Sequence, residues 1–552
     1  MVLFILILVI GIAAIAPFII TWRYEKLVER KLPEWVAQAS DSLYQITVDD
    51  IDIRILSKKL TLTGLHLTPD TARLKLLRQN ARLPGKVYQV HLPRVNVTGI
   101  HWATILTDKE LNCKSLEVLH PKLYVERTPA HLVHKEPATN GRSGKAVPKF
   151  NIKSVNITDP DIAYRNFDRK DSLSYYVAGG YAKLSNCAYD PKESEDLMKL
   201  FYAQGGNMRF DSLVLKRSNS LYVIRTDNIS FASTANSFEV KNFNLHPALS
   251  NDEYYKEIGE QDEILTLTFP LIKLQGLNWT KLINQGELHV KELTLDKPSV
   301  QVYISRIPKP ARKKRRRYPG QILNDVQFPL SIKKLTINQG DVSYTEKNRS
   351  TTLEGTLPFT HLNAMFENIT NIEAERKTNA SCVAKVRGQL FESIIGMDVI
   401  FHLNDSLGAF TARGFQTFLD GTKLSDITRP LAKMEIASLE MNKMNFSLQC
   451  DGRRATGDFL FLYNDLRLKI LSVGENGQLE KKGLTSFVVN RALLYPDNPA
   501  DGEQARRVKV SLRRDIHRSF FNLLWTSVRT GALLTAGRNA QVARLINGKK
   551  SH

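Results

Sequence analysis

The stretch VNVTGIHWATILTDKELNCKSLEVLHPKLYV, Val95 to Val125, returns in outline as IKLQGLNWTKLINQGELHVKELTLDKPSVQV, Ile272 to Val302. Pro93, Gly99, Trp102, Leu111, Leu116 and Pro121 precede Pro270, Gly276, Trp279, Leu288, Leu293 and Pro298 by 177 positions, without a gap. The next segment repeats too. Ile152, Lys153, Ile157, Asp161 and Tyr164 precede Ile332, Lys333, Ile337, Asp341 and Tyr344 by 180. A chain of 552 residues could hold several unrelated domains. A tandem unit argues instead for one architecture lengthened by duplication.

The repeated unit is written in period two. Ile51, Ile53 and Ile55 alternate with Asp52 and Arg54, as in a half-buried strand. Leu60 and Leu62, then Leu65 and Leu67, alternate with a phase change at Gly64, which predicts a bulge or tight turn. Leu288/Val290, Leu293/Leu295 and Val300/Val302/Ile304 continue the habit in the second copy. Short strands joined by Asp, Asn, Gly and Pro turns are expected. The better helical candidates are Pro191 to Ala203, the stretch around Leu424 to Met434, and a stem from Trp22 to about Leu43. The run FLFLY, Phe459 to Tyr463, is apolar on both faces. Either protein covers both, or one face meets something apolar that is not protein. On that ground Leu288, Val290, Phe459, Phe461 and Tyr463 are the candidate lining of an apolar groove.

Residues Val2 to Thr21 carry no charge, and twenty helical residues span about the thickness of a bilayer core. Trp22 and Tyr24 follow as an interfacial anchor would. A cleaved signal peptide is the rival, with Ala14-Ile15-Ala16 as its site. The lack of a basic leader and the position of Pro17 argue against it. Arg23, Lys26, Arg30 and Lys31 follow the span, and taken alone they place the body in the cytoplasm.

A net charge of +21 points to an anionic partner, either a nucleic acid or a phospholipid surface. The basic run KKRRR, Lys313 to Arg317, lacks aromatic residues placed for base stacking and reads as a solvated loop or a headgroup contact, so no nucleic-acid partner is expected. Cys113, Cys187, Cys382 and Cys450 are scattered without a metal-ligand spacing. Gly141 to Ala146 lacks the serine or threonine of a phosphate loop, and His131 and His134 sit in a Pro/Gly-rich loop. No cofactor, metal or catalytic residue is proposed, and the protein is not expected to be an enzyme.

The segments YQITVDDIDIRILSKKLTLTGLHL (Tyr44 to Leu67), Leu431 to Leu471 and Tyr495 to Gly531 follow the apolar span and flank the repeat. Together they resemble the AsmA-like proteins of Gram-negative envelopes, which are similar to bridge-like lipid transfer proteins. The resemblance implies a mainly β fold. An N-terminal transmembrane helix would be followed by an elongated, curled antiparallel sheet, trough-like and built from tandem repeats, with a C-terminal amphipathic helix. It implies a single-pass inner-membrane protein with its body in the periplasm, against the local charge signal. It also implies a non-catalytic role in shielding and moving phospholipids between inner and outer membrane, with an envelope protein as a further partner. A membrane-tethered scaffold or assembly factor without a lipid conduit is the alternative. The expected division is 1–21 anchor, 22–46 stem, 47–250 first repeat unit, 251–510 second unit and AsmA-like region, and 511–552 helix and tail. In that last segment Phe521, Leu524, Trp525 and Val528 recur at helical spacing, with arginines at either end, and such a stripe has three fates: packing against the end of the β body, docking on a partner, or lying in a membrane interface.

Overall fold

The computed structural model describes residues 33–538, except 35, 39, 105–109, 130–131, 134–148, 167–172, 190–202, 218–220, 311–314 and 475–478. The anchor, most of the stem, all but the last residue of the helix expected at Pro191 to Ala203, both histidines of the 128–149 loop, and Lys313 and Lys314 lie outside the described residues; Ala203 itself begins a strand. Strands hold 59% of the chain and helices 18%, so the protein is mainly β. No described helix is long and apolar enough to cross a membrane.

The chain divides into two compact units, residues 1–244 with 275–286, and 245–274 with 287–552. The first contains β1 (Tyr44–Thr47), β2 (Asp50–Arg54), β3 (Lys59–Pro69), β4 (Lys86–Thr98), β5 (Leu111–Leu119), β6 (Lys122–Arg127), β7 (Phe150–Thr158), β8 (Asp161–Asn166), β9 (Leu173–Ala178), β10 (Tyr181–Tyr189), β11 (Ala203–Arg217) and β12 (Tyr222–Ala232). The chain leaves this unit within β13 (Ser237–Pro247).

Here short strands lie end to end. The first half of β4 pairs with β6 and its second half with β5. β5 runs parallel to β7, and β6 parallel to β8. β9 and β10 together span the length of β11. Pro121 and Pro160 mark the breaks, where a residue without an N–H cannot extend the ladder. Gly64 is the expected bulge. It has φ 61°, and it separates the part of β3 that pairs with β2 from the part that pairs with β1. The phase shift keeps Leu60, Leu62, Leu65 and Leu67 all buried.

The second unit contains β14 (Glu263–Gln275), β15 (Leu288–Asp296), β16 (Ser299–Ser305), β17 (Leu330–Lys347), β18 (Glu354–Thr370), β19 (Ser381–Leu390), β20 (Ser393–His402), β21 (Phe410–Gln416), β22 (Leu419–Asp420), β23 (Met434–Cys450), β24 (Arg454–Val473), β25 (Leu479–Lys481) and β26 (Arg507–Arg513). From β17 through β21 each strand pairs antiparallel with the next, and β23 and β24 continue the ladder. The helix expected near Leu424 is Ser425–Ala432. The C-terminal helix is Phe520–Ala536, capped by Ser519, whose hydroxyl accepts from Asn522 N.

Candidate functional site: a duplicated apolar face, closed once and open once

The sequence repeat is a repeat of pairing register. Lys86 to His91 of β4 pair with Arg127 to Lys122 of β6, and the residues 177 positions on, Glu263 to Thr268, pair with Ile304 to Ser299. Leu111 faces Phe150 in a parallel pair, as Leu288 faces Leu330. Lys122 faces Asp161, as Ser299 faces Asp341. The backbone repeats as well. His120 and Asp159 have positive φ, and so do Lys297 and Gln339. Gly99 and Gly276 share φ 68° and 65° at the ends of β4 and β14. The turn at Lys58 recurs at Asn236: both have positive φ, and their carbonyls accept from Ile100 N and Leu277 N. One difference is covalent. Where Pro160 splits β7 from β8, Gly340 lets β17 run through with a bulge.

The copies differ in what happens to their apolar face. In the first, Leu111, Cys113, Leu116, Val118, Phe150, Ile152, Val155 and Ile157 are all 4% exposed or less. They belong to one core cluster with Val36, Trp102 and strands β3, β4, β10 and β11. In the second, the equivalent Leu288, Leu293, Leu295, Leu330, Ile332, Leu335 and Ile337 are all half-buried, and only Val290, at 3%, is buried. Residues with the same register and polarity therefore form a closed core in one unit and an open apolar surface in the other.

The open surface is continuous across strands. Leu293 pairs with Leu335 and that with Phe366, while Leu267, Val300, Val342 and Phe359 form another row. Leu265, Val302, Tyr344 and Leu357 form a third; at the β18 end of these two rows Leu357 is buried and Phe359 packs with it against Ile427 of the Ser425–Ala432 helix, so the open part is β14–β17. Directly opposed side chains on one face stand about 4.5–5.5 Å apart, so each row is an unbroken apolar band. Polar side chains close one end. Arg306 donates to Glu346 Oε2 at 2.8 Å, and the Tyr344 hydroxyl donates to the same oxygen at 2.7 Å. Burial alone would raise the Glu346 carboxyl, but the hydrogen bonds from Arg306 and Tyr344 outweigh it and hold the carboxyl below its ordinary value. Burial, then the neighbouring carboxylate, push the Tyr344 phenol far upward. Because the Glu346 pKa is lower folded than unfolded, its stabilisation is complete above the unfolded value of about 4.3 and disappears as pH falls through the folded value. Glu346→Gln is expected to cost on the order of 1 kcal/mol at pH 7. It should also flatten the acid limb of a plot of urea-unfolding midpoint against pH; an unchanged limb would exclude the linkage.

The first unit has an open concavity of about 640 Å³ at the corresponding edge, lined by Gly85, Lys86, Tyr88, Arg127 and Tyr164. Tyr164 is the counterpart of Tyr344.

The groove residues expected from sequence separate. Leu288 lies on the open face, and Val290, two residues on and on the same side of β15, is buried. Phe459, Phe461 and Tyr463 do not line a groove. They are buried in a core with Leu439, Leu466 and Ala536, and the Tyr463 hydroxyl donates to Tyr495 O at 3.0 Å. The C-terminal helix covers them: a side chain at Gly531 would collide with the Phe459 ring, so the glycine allows the close approach. The helix residues divide too. Leu524 is buried in a neighbouring core with Tyr318, Phe410 and Phe520, and Val528 packs on the core of Phe459, while Phe521 and Trp525 are 71% and 46% exposed. The buried stripe is Phe520, Leu523, Leu524, Ser527, Gly531, Thr535 and Ala536, one position out of phase with the expected one. Trp102 and Trp279 are core-packing residues, Trp279 edge-on to Phe231 at 4.0 Å, and the indole N–H of each is buried without a partner among the described residues.

The four cysteines are buried, with Cys113 and Cys187 pushed up by burial to about 12. Among the described residues no group of three or more His, Cys, Asp or Glu is placed to hold a metal ion. The fold and site together define a mainly β protein with a duplicated sheet unit and a solvent-open apolar face. No family model matches the chain, and no curated protein matches it.

Proposed function

We propose that the protein is a non-catalytic, membrane-tethered phospholipid carrier of the AsmA-like kind, and that acyl chains lie along the open face of β14–β17. The observation that carries this reading is the contrast between the repeats: seven apolar side chains that are core in the first unit are half-open to water in the second. Contiguous apolar surface left exposed marks a binding site for something apolar. A sheet face suits an extended chain, because each row of side chains offers the same contact as the next. The ion-paired Arg306–Glu346 end gives the apolar band a polar margin. The uncharged span Val2 to Thr21 supplies the tether, the body lies in the periplasm, and the exchange runs between inner and outer membrane.

Native mass spectrometry of the full chain, extracted gently, is expected to show bound phospholipid that survives exchange into lipid-free detergent. A lipid-free spectrum would overturn the reading and favour a scaffold whose open face is covered by another envelope protein. Protease added to spheroplasts is expected to cut the body; protection until the inner membrane is broken would refute the periplasmic placement.

A further inference from the structure

Two features that are far apart in sequence meet in the second unit. Arg315, Arg316 and Arg317, the described end of the basic run, are exposed. Arg316 N donates to Ile516 O at 2.7 Å, joining this run to the segment that leads into the C-terminal helix. Arg514, buried between them, donates to Arg316 O at 3.1 Å and Gln321 Oε1 at 3.1 Å, with its guanidinium 3.5 Å from the centre of the Tyr318 ring. Tyr318 packs against Phe520, the first residue of the helix. The basic run is thus held beside the start of the helix.

The outer side of that helix is apolar and basic. Phe521, Trp525 and Arg529 follow one another at four-residue steps and are exposed, and Arg518 and Ile516 precede them, also exposed. Aspartates answer only in part: Asp325 contacts Arg317 at 3.4 Å and Asp515 contacts Arg518 at 3.9 Å, all four side chains being about half exposed. Large aromatics rimmed by arginines match the interface of an anionic bilayer, with rings at acyl depth and guanidinium groups at the phosphates.

We infer that Phe521, Trp525, Arg529 and Arg315–Arg317 form one docking surface for an anionic phospholipid bilayer. This surface is separate from the open face of β14–β17 and does not depend on it. A soluble protein partner would want the apolar pair but has no need of a continuous basic rim. Charge complementarity therefore selects the bilayer.

The test uses the full chain in neutral phosphatidylcholine nanodiscs, with Asn522→Cys labelled by an environment-sensitive dye. The native cysteines are buried, so labelling is selective. Vesicles containing phosphatidylglycerol are expected to blue-shift the dye, with affinity falling as salt rises, and pure phosphatidylcholine vesicles to leave it unchanged. Replacing Arg315, Arg316 and Arg317 together by Gln should weaken binding by on the order of a hundredfold. Phe521→Ala with Trp525→Ala should weaken it at least about tenfold without changing the far-UV circular dichroism, since both rings are largely exposed on the outer side of the helix. Leu335→Asp should bind vesicles like the parent, which keeps this surface distinct from the lipid-carrying face. No blue shift, equal response to both vesicle types, unchanged affinity in the arginine variant, or a dye already shielded from an aqueous quencher before vesicles are added would each overturn the inference.

Discussion

In Leu335→Asp, phospholipid recovered with the gently extracted chain is expected to fall at least about tenfold, while the body stays folded. Leu335 stands between Leu293 and Phe366 in one of the apolar rows and is only half-buried. A carboxylate there can keep water in the empty protein, so the fold tolerates it. It would lose that water when an acyl chain covers the row, and desolvating an unpaired charge costs more than the contact returns. Val290 is a poor site for the same probe: at 3% exposure it would bury the charge in the folded protein and unfold it. Ser343→Asp is the control, since Ser343 lies between Val342 and Tyr344 in β17 and faces the other way. Lipid retained in Leu335→Asp, or lost equally in Ser343→Asp, would remove the open face of β14–β17 as the carrier surface.

The largest stability effect is expected at Arg514. Its guanidinium donates to Leu407 O at 2.6 Å, Gly452 O at 3.3 Å, Arg316 O at 3.1 Å and Gln321 Oε1 at 3.1 Å, and lies over the Tyr318 ring. In Arg514→Ala the Leu407, Gly452 and Arg316 carbonyls lose this donor, Gln321 Oε1 keeps only Tyr318 N, and the ring loses its cation, a cost of about 3 kcal/mol or more. Differential scanning calorimetry should show the transition of this unit roughly 5–10 °C lower. Arg514→Lys, which keeps the charge but not the planar fork, should fall between the two. A transition unchanged in Arg514→Ala would mean the carbonyls are satisfied by water and the arginine does not hold the loop and helix together.

Much of the fold is legible in the chain itself. Period-two runs such as Leu60/Leu62 and Leu65/Leu67 are strands, and the glycine between them is the bulge its phase change required. The 177-residue offset is a true register: Leu111–Phe150 and Leu288–Leu330 are the same pair made twice. The turn at Asn236 that matches Lys58 was not legible, because a positive φ can be met by residues with no side chain in common. The candidate site was legible only at Leu288, and alignment of the repeats would have added Leu293, Leu335 and Ile337 had their burial been known.

By itself, the sequence determined where strands run, which residues pair across the repeat, and which side of each strand is apolar. Alternation along a strand is a local property, so the chain carries it directly. Only the tertiary structure decided what lies against each apolar side. The face is sealed in the first unit and open in the second. Phe459, Phe461 and Tyr463 are covered by a helix that begins more than fifty residues later, and that helix buries Leu523 and Ser527 rather than Phe521 and Trp525. Coverage depends on contacts between segments far apart in the chain, and a pattern with a two- or four-residue period holds no record of its distant neighbour.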